Sequence, residues 1–101
     1  MVFTAGQIPL DPSTMKIVDG DIQAQTKQVM TNLSKVLEAA GASFGSVVKT
    51  TIFLVRMSDF PKVNEVYAEY FTDAPPARST VAVAELPLGA GVEIEMVALS
   101  E

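Results

Sequence analysis

Two segments of the sequence carry apolar side chains on both faces of a predicted strand, and this restricts the folds open to the chain. Residues 47–55 are rich in β-branched residues, and residues 92–99 form the most apolar strand candidate. Successive side chains of a strand point to opposite faces of its sheet. Only two helices are predicted, and they can cover one face. We therefore expect another copy of the chain to bury the second face.

Two segments have helical periodicity. Asp21 is placed to cap the first helix, and Gly41 is placed to end it in the left-handed conformation. The apolar stripe of this helix follows three- and four-residue steps and comprises Ile22, Val29, Leu33, Val36, Leu37 and Ala40. The second helix is predicted to begin at a cap formed by Ser58 or Asp59, with Pro61 in its first turn. Its buried side is predicted to comprise Phe60, Val63, Val66, Tyr67 and Tyr70.

The order of the predicted elements indicates the fold class. Short strands are predicted at residues 2–5 and 16–18, and a longer strand at residues 79–84. The resulting order of strand, strand, helix, strand, helix, strand, strand predicts an α+β domain with both helices on one face of a mixed sheet. The chain has 101 residues and shows no repeat or linker. We interpret residues 1–101 as a single domain.

The composition excludes several kinds of chemistry. The sequence contains neither His nor Cys. This excludes Ser-His triads, thiolate nucleophiles and the usual zinc sites, and we expect no metal. Acid–base chemistry is left to carboxylates, Lys and Tyr. The net charge of −5 and the scattered lysines argue against nucleic acid or an anionic membrane as a partner. No apolar run has membrane-spanning length.

One stretch combines charged residues with strand patterning. Arg78, one of two arginines, follows a Pro-Pro-Ala turn, and Glu93 and Glu95 alternate within the apolar strand. We predict that the guanidinium, at the start of one strand, lies near a carboxylate inside a neighbouring strand. The Arg fork would hold a substrate carboxylate by two parallel hydrogen bonds, and the Glu would hold a water. The alternatives are a solvated or salt-bridged surface arginine and the wet face of a half-buried strand.

Several stretches, in order and over nearly the whole chain, match a known family. The most specific are Pro-Ala-Arg-Ser at residues 76–79 and Glu-Ile-Glu at residues 93–95, supported by Gly-Gln-Ile-Pro at residues 6–9 and Leu-Glu-Ala-Ala-Gly at residues 37–41. On these motifs the chain resembles the reactive intermediate/imine deaminase family, also called the Rid or YjgF family. The resemblance implies a chorismate-mutase-like fold. It also implies a homotrimer whose sheets form a central barrel, with a cleft at each subunit interface.

The resemblance also implies an activity and its residues. Members hydrolyse reactive 2-imino or enamine acids, such as 2-aminoacrylate and 2-iminopropionate, to 2-keto acids and ammonia without a cofactor. Arg78 matches the carboxylate-binding arginine, and Glu93 matches the residue that positions or activates water. Gly6 and Asn64 match substrate-binding positions of the cleft. Thr80 matches a position that acts through its backbone carbonyl and is often Cys in relatives.

Four points remain open from the sequence. We interpret Glu95 as structural, bonded to Lys49 or to a backbone amide across subunits. Relatives usually carry an extra N-terminal segment with a cleft tyrosine, so we expect a short N-terminus relative to the family. We expect a cytoplasmic location, or an organellar one if an N-terminal segment is missing. The alternative function is a non-enzymatic trimer that senses carboxylates or acts as a chaperone-like or regulatory interaction protein.

Overall fold

The computed structural model describes all residues 1–101 and contains two helices and six strands. The elements in chain order are β1 (Val2–Phe3), β2 (Leu10–Asp11), β3 (Lys16–Ile17), α1 (Ile22–Ala39), β4 (Val47–Leu54), α2 (Phe60–Tyr67), β5 (Ala77–Ala82) and β6 (Val92–Ala98). The predicted order is confirmed, with the two-residue strand β2 added. Strand β5 begins at Ala77, two residues before its predicted start, so Arg78 lies inside the strand.

The main sheet has four strands in the order β1-β6-β4-β5. Strand β4 pairs with β5 in parallel and with β6 antiparallel, and β1 pairs with β6 antiparallel. The sheet is therefore mixed, as predicted, while β2 and β3 form a separate hairpin. Strand β4 lies between β5 and β6, which places Arg78 and Glu93 two strands apart. The prediction that they lie in neighbouring strands is wrong, because the parallel connection through α2 places β5 at the outer edge of the sheet.

Both helices pack on one face of the sheet, where the hydrophobic core lies. On β4 and β6 the side chains that point to this face are fully or almost fully buried: Ile52, Leu54, Val92, Ile94, Met96 and Ala98. The helices contribute Val29, Met30, Leu33, Leu37 and Val63 to the same cluster. Burying a side chain of this size contributes about 1.5–3 kcal/mol relative to leaving it exposed. The predicted placement of both helices on one face is confirmed.

Helix α1 has the predicted signals at both ends. The Asp21 carboxylate accepts a hydrogen bond from the Ala24 amide at 2.9 Å. Gly41 has a φ of 76°, and the next amide, of Ala42, donates to the Leu37 carbonyl at 2.8 Å. This arrangement satisfies carbonyls that the last turn leaves unpaired. The inclusion of Ala40 in the apolar stripe of the helix is wrong, because Ala40 follows the last helical residue and is exposed.

Helix α2 begins differently from the prediction. A 3-10 turn, Met57–Asp59, leads directly into the helix. Asp59 occupies the cap position, but its backbone is already helical, with φ −81° and ψ −11°, and its side chain makes no capping bond. Capping by Asp59 is therefore wrong, while Pro61 lies in the first turn as predicted. The predicted buried side is confirmed for Val63, Val66 and Tyr67, whereas Phe60 and Tyr70 are half-buried and Tyr70 lies in a 3-10 turn after the helix.

The second face of the sheet carries no helix. Its side chains on β4 and β6 are half-buried: Lys49, Thr51, Phe53, Glu93, Glu95 and Val97. Phe3 on β1 is 73% exposed, and Val81 on β5 is 41% exposed. Apolar and charged side chains are thus mixed on an uncovered surface, which we call the open face. This is the face on which we expect another copy of the chain.

Candidate functional site

Arg78 lies on the helix-covered face, at the edge of the sheet. Its neighbour in register on β4 is Thr50, a buried residue. The guanidinium carbon lies 5.0 Å from the centroid of the Phe60 ring and 5.2 Å from that of the Tyr67 ring. Its Nη1 donates to Asn64 Oδ1 at 2.5 Å. Arg78 is otherwise exposed, so most of its five N–H donors are available to a ligand.

Tyr67 connects this group to the core. Its hydroxyl and Thr50 Oγ1 are 2.8 Å apart in a buried hydrogen bond. Burial raises the pKa of Tyr67, while the Thr50 hydrogen bond and the charge of Arg78 act in the opposite direction. The phenol is therefore neutral at physiological pH, and its ring presents an uncharged π face to the guanidinium.

Thr80 contributes main-chain groups beside Arg78. The Val83 amide donates to the Leu54 carbonyl at 2.8 Å, so odd-numbered residues of this segment direct their main-chain groups towards β4. The N–H and C=O of Arg78 and Thr80 consequently point away from β4. Strand β5 is an edge strand, and these groups lie at its free edge. The Thr80 carbonyl is therefore available next to a cationic side chain.

Glu93 lies on the open face, beside Phe53 in register. A Cβ atom added at Gly6 would lie 2.1 Å from Glu93 Oε2, so the glycine allows the carboxylate to pack directly against the backbone. The chain after β1 follows β6 at this point. The Gln7 amide donates to the Ile94 carbonyl at 2.9 Å, and the Ile94 amide donates back to the Gln7 carbonyl at 3.1 Å. The structure thus brings Gly6 and Glu93 together.

The predicted site residues form two separate groups. Arg78, Asn64 and Thr80 lie at the outer edge on the helix side, and Gly6 and Glu93 lie on the open face, with β4 between them. Cavities of about 520, 500 and 200 Å³ occur on the surface. Gly6 lines the cavity of about 500 Å³, and neither Arg78 nor Glu93 lines any of the three. Within the single chain, Arg78 and Glu93 therefore do not face a common cavity.

Glu95 lies beside Thr51 on the open face. In the next row, Lys49 Nζ donates to Ser79 Oγ at 2.7 Å. Within the chain, Lys49 is therefore directed towards β5, away from Glu95. A bond of Glu95 to Lys49 or to a backbone amide across subunits stays a prediction.

Sequence analysis missed the two rings that contact Arg78. Phe60 and Tyr67 were assigned only to the buried side of α2. Together with Asn64 they follow a spacing of four and three residues, which places all three on one face of a helix. The sequence signal for this cluster was a polar residue between two aromatic residues at helical spacing. No group of three or more carboxylates that could hold a metal ion occurs, and no helix has the length and apolarity needed to cross a membrane.

Comparisons with known proteins cover nearly the whole chain. A family model described as endoribonuclease L-PSP matches residues 1–100. Protein DfrA of Myxococcus xanthus is 57% identical over 100 residues, which are 99% of this chain and 76% of that protein. The 2-iminobutanoate/2-iminopropanoate deaminase of Mus musculus is 46% identical over 98 residues, covering 97% of this chain and 73% of that enzyme. The crystal structure of the YjgF gene product of E. coli has a TM-score of 0.90 at 43% identity and covers 98% of this chain and 80% of that one.

Proposed function

The chain belongs to the endoribonuclease L-PSP family, which is the YjgF/Rid family, and we propose that it hydrolyses reactive 2-imino acids to 2-keto acids and ammonia. The observation that carries the proposal is the Arg78 guanidinium, held by α2 beside the free main-chain edge at Thr80. A relative that shares 46% of its residues is a 2-iminobutanoate/2-iminopropanoate deaminase. Its substrates are short acids that carry the carboxylate for which an arginine fork is suited.

Arg78 and Thr80 would orient the substrate. The guanidinium binds the carboxylate by two parallel hydrogen bonds, and the Thr80 carbonyl accepts a hydrogen bond from the imine N–H. Fixing both ends of a small planar acid leaves its C2 carbon exposed to attack from one side. Such orientation lowers the barrier because less freedom is lost in the reaction step.

Glu93 would supply the water. The water oxygen bonds to C2 while Glu93 accepts a water proton, and the π electrons of the C=N bond move to nitrogen, which takes up a proton. In the resulting carbinolamine the hydroxyl proton is transferred to the amino nitrogen, and the C–N bond breaks with its electron pair going to nitrogen. Ammonia leaves, and the C=O bond of the 2-keto acid forms. An imine is already electrophilic, so no cofactor is required. The carboxylate acts as a general base, and such groups contribute about 10²–10⁴-fold to a rate.

We propose that the two groups of residues meet in a homotrimer. Arg78 and Glu93 lie on different faces of one sheet, so Arg78 of one subunit would face Glu93 of the next. The open face provides the contact surface, and we expect Phe53, Val97 and Leu99 to be buried there. Burial of Phe3, which is 73% exposed in the single chain, would add to the driving force. Sedimentation as a monomer at micromolar concentration would contradict this assembly.

The activity is tested by following ammonia or keto-acid release from freshly generated 2-iminopropanoate. Arg78→Ala should remove most of the enzyme-dependent rate. Arg56, the other arginine, is exposed and lines a cavity to which Arg78, Asn64 and Thr80 do not contribute, so Arg56→Ala is the matched control and should retain the rate. Equal rates for wild type and Arg78→Ala would refute the proposal. Binding of pyruvate without any turnover would instead favour the non-enzymatic, carboxylate-sensing role.

RNA cleavage, which the description of the family model names, is not part of the proposal. The chain has a net charge of −5 and no cluster of basic residues. Affinity for nucleic acid depends on Lys and Arg that neutralise phosphates. In the group formed by Arg78, Asn64 and Thr80, Arg78 is the one cationic side chain.

A further inference from the structure

Helix α2 presents three side chains to Arg78 from one face: Phe60, Asn64 and Tyr67. We infer that these are positioning residues, which fix the plane and direction of the Arg78 guanidinium so that a carboxylate binds in a single orientation. The inference rests on the proposed role of Arg78 as the carboxylate clamp. Contacts from α2 would explain why an exposed arginine at the edge of the sheet keeps one side-chain conformation.

The two rings restrain the guanidinium from its sides. An arginine on an edge strand is normally mobile, because its side chain has several freely rotating bonds. Here the guanidinium carbon lies 5.0 Å from the Phe60 centroid and 5.2 Å from the Tyr67 centroid, both within cation–π range. A planar guanidinium stacks on such rings, whereas an ammonium does not share this preference for one plane.

Contact with the ring faces still allows the guanidinium to rotate within its own plane, and Asn64 restrains this rotation. Its Oδ1 accepts a hydrogen bond from Nη1 at 2.5 Å, which fixes one corner of the guanidinium. The edge formed by Nε and Nη2 is then the one on which neither nitrogen is engaged within the chain, and its two parallel N–H groups can bind a carboxylate. The asparagine therefore selects which edge of the arginine faces the ligand.

Tyr67 is itself fixed to the sheet. Its hydroxyl bonds Thr50, and Thr50 is the register neighbour of Arg78 on β4. Strand β5, helix α2 and strand β4 are thereby linked in a closed set of contacts around the guanidinium. The ring cannot rotate away from Arg78 without breaking a buried hydrogen bond, which is unfavourable.

The inference is tested by calorimetric titration with pyruvate, together with kcat and KM for 2-iminopropanoate. Phe60→Leu should weaken pyruvate binding about two- to fivefold, the range of an exposed cation–π contact. Tyr70→Leu is the matched control, because Tyr70 is a half-buried aromatic that packs on Phe44 at 5.4 Å and does not contact Arg78. It should leave pyruvate affinity unchanged.

A double-mutant cycle separates positioning from general stability. In an Arg78→Ala background, Phe60→Leu should have no further effect on pyruvate binding. Arg78→Lys should also reduce pyruvate affinity by a smaller factor in the Phe60→Leu background than in the wild-type background. Asn64→Ser removes only the hydrogen bond and provides the same test if Phe60→Leu does not fold.

Three outcomes would overturn the inference in different ways. Pyruvate binding that depends on Arg78 but is unchanged by Phe60→Leu and by Asn64→Ser overturns the positioning role alone. Pyruvate binding and turnover that are unchanged in Arg78→Ala overturn the proposed function and the positioning role together. Equal losses from Phe60→Leu with and without Arg78 would show that the ring acts on stability and not through the guanidinium.

Discussion

Replacing Gly6 by alanine should impair catalysis with little effect on folding. The added Cβ would lie 2.1 Å from Glu93 Oε2, 2.8 Å from its carboxyl carbon and 3.1 Å from Cγ. Ordinary contact begins at 3.4 Å, so the carboxylate oxygen is about 3.4 − 2.1 = 1.3 Å too close and has to move. A misplacement of about 1 Å near the reacting atoms can cost about 10²-fold in rate. We therefore expect turnover of 2-iminopropanoate to fall by about 10- to 100-fold.

The fold should tolerate the substitution. The clash involves the end of a flexible, half-buried side chain on the open face, and Gly6 does not have a left-handed backbone. A change from glycine to alanine at a compatible position can even stabilise a protein, by about 0.4–1 kcal/mol. The assay is keto-acid release together with thermal unfolding. Gly45→Ala is the control, because its nearest contact would be Ser43 Oγ at 3.5 Å. Full turnover in Gly6→Ala would refute the link between Gly6 and the Glu93 carboxylate.

Three further predictions concern single side chains. Arg78→Lys keeps the charge but loses the planar fork, so pyruvate binding should weaken by about 1–3 kcal/mol in calorimetry, and equal affinity would show that the arginine is not a bidentate clamp. Glu93→Gln should lower turnover while pyruvate affinity holds, and equal losses in both would indicate a role in ground-state binding. Asp21→Ala removes the bond to the Ala24 amide and should lower the free energy of unfolding by about 1 kcal/mol in urea. Asp59→Ala, at a cap position without a capping bond, should change it by less than about 0.5 kcal/mol, and equal losses would contradict the assignment of the caps.

The elements could be predicted because their signals are local. Asp21 and Gly41 mark the ends of α1 by properties of single residues, and both were identified from the sequence alone. Strands β4 and β6 were predicted to within one residue at their ends because their apolar runs are long. Asp59 failed as a cap because the turn before α2 is already helical, which depends on neighbouring packing and not on residue type.

The arrangement of the site could not be predicted to the same extent. Strand order depends on contacts between segments distant in sequence, and nothing local shows that β4 separates β5 from β6. The pairing of Arg78 with Glu93 in neighbouring strands was therefore assumed from their closeness in sequence. The contact between Gly6 and Glu93 joins residues at opposite ends of the chain. Only the family motif indicated that Gly6 and Glu93 belong to one site, and their shared role there stays a prediction. The cytoplasmic location also stays a prediction.

Subunit complementation tests most directly whether Arg78 and Glu93 of different subunits form one catalytic site. Arg78→Ala and Glu93→Gln are purified separately, mixed in equal amounts, allowed to exchange subunits and assayed with freshly generated 2-iminopropanoate, with exchange verified by mass spectrometry. In a cyclic trimer with random exchange, about a quarter of the interfaces combine an intact arginine with an intact glutamate. We therefore expect the mixture to recover about a quarter of the wild-type rate, well above either variant alone. A mixture that has exchanged subunits but remains as slow as the separate variants would contradict the shared site.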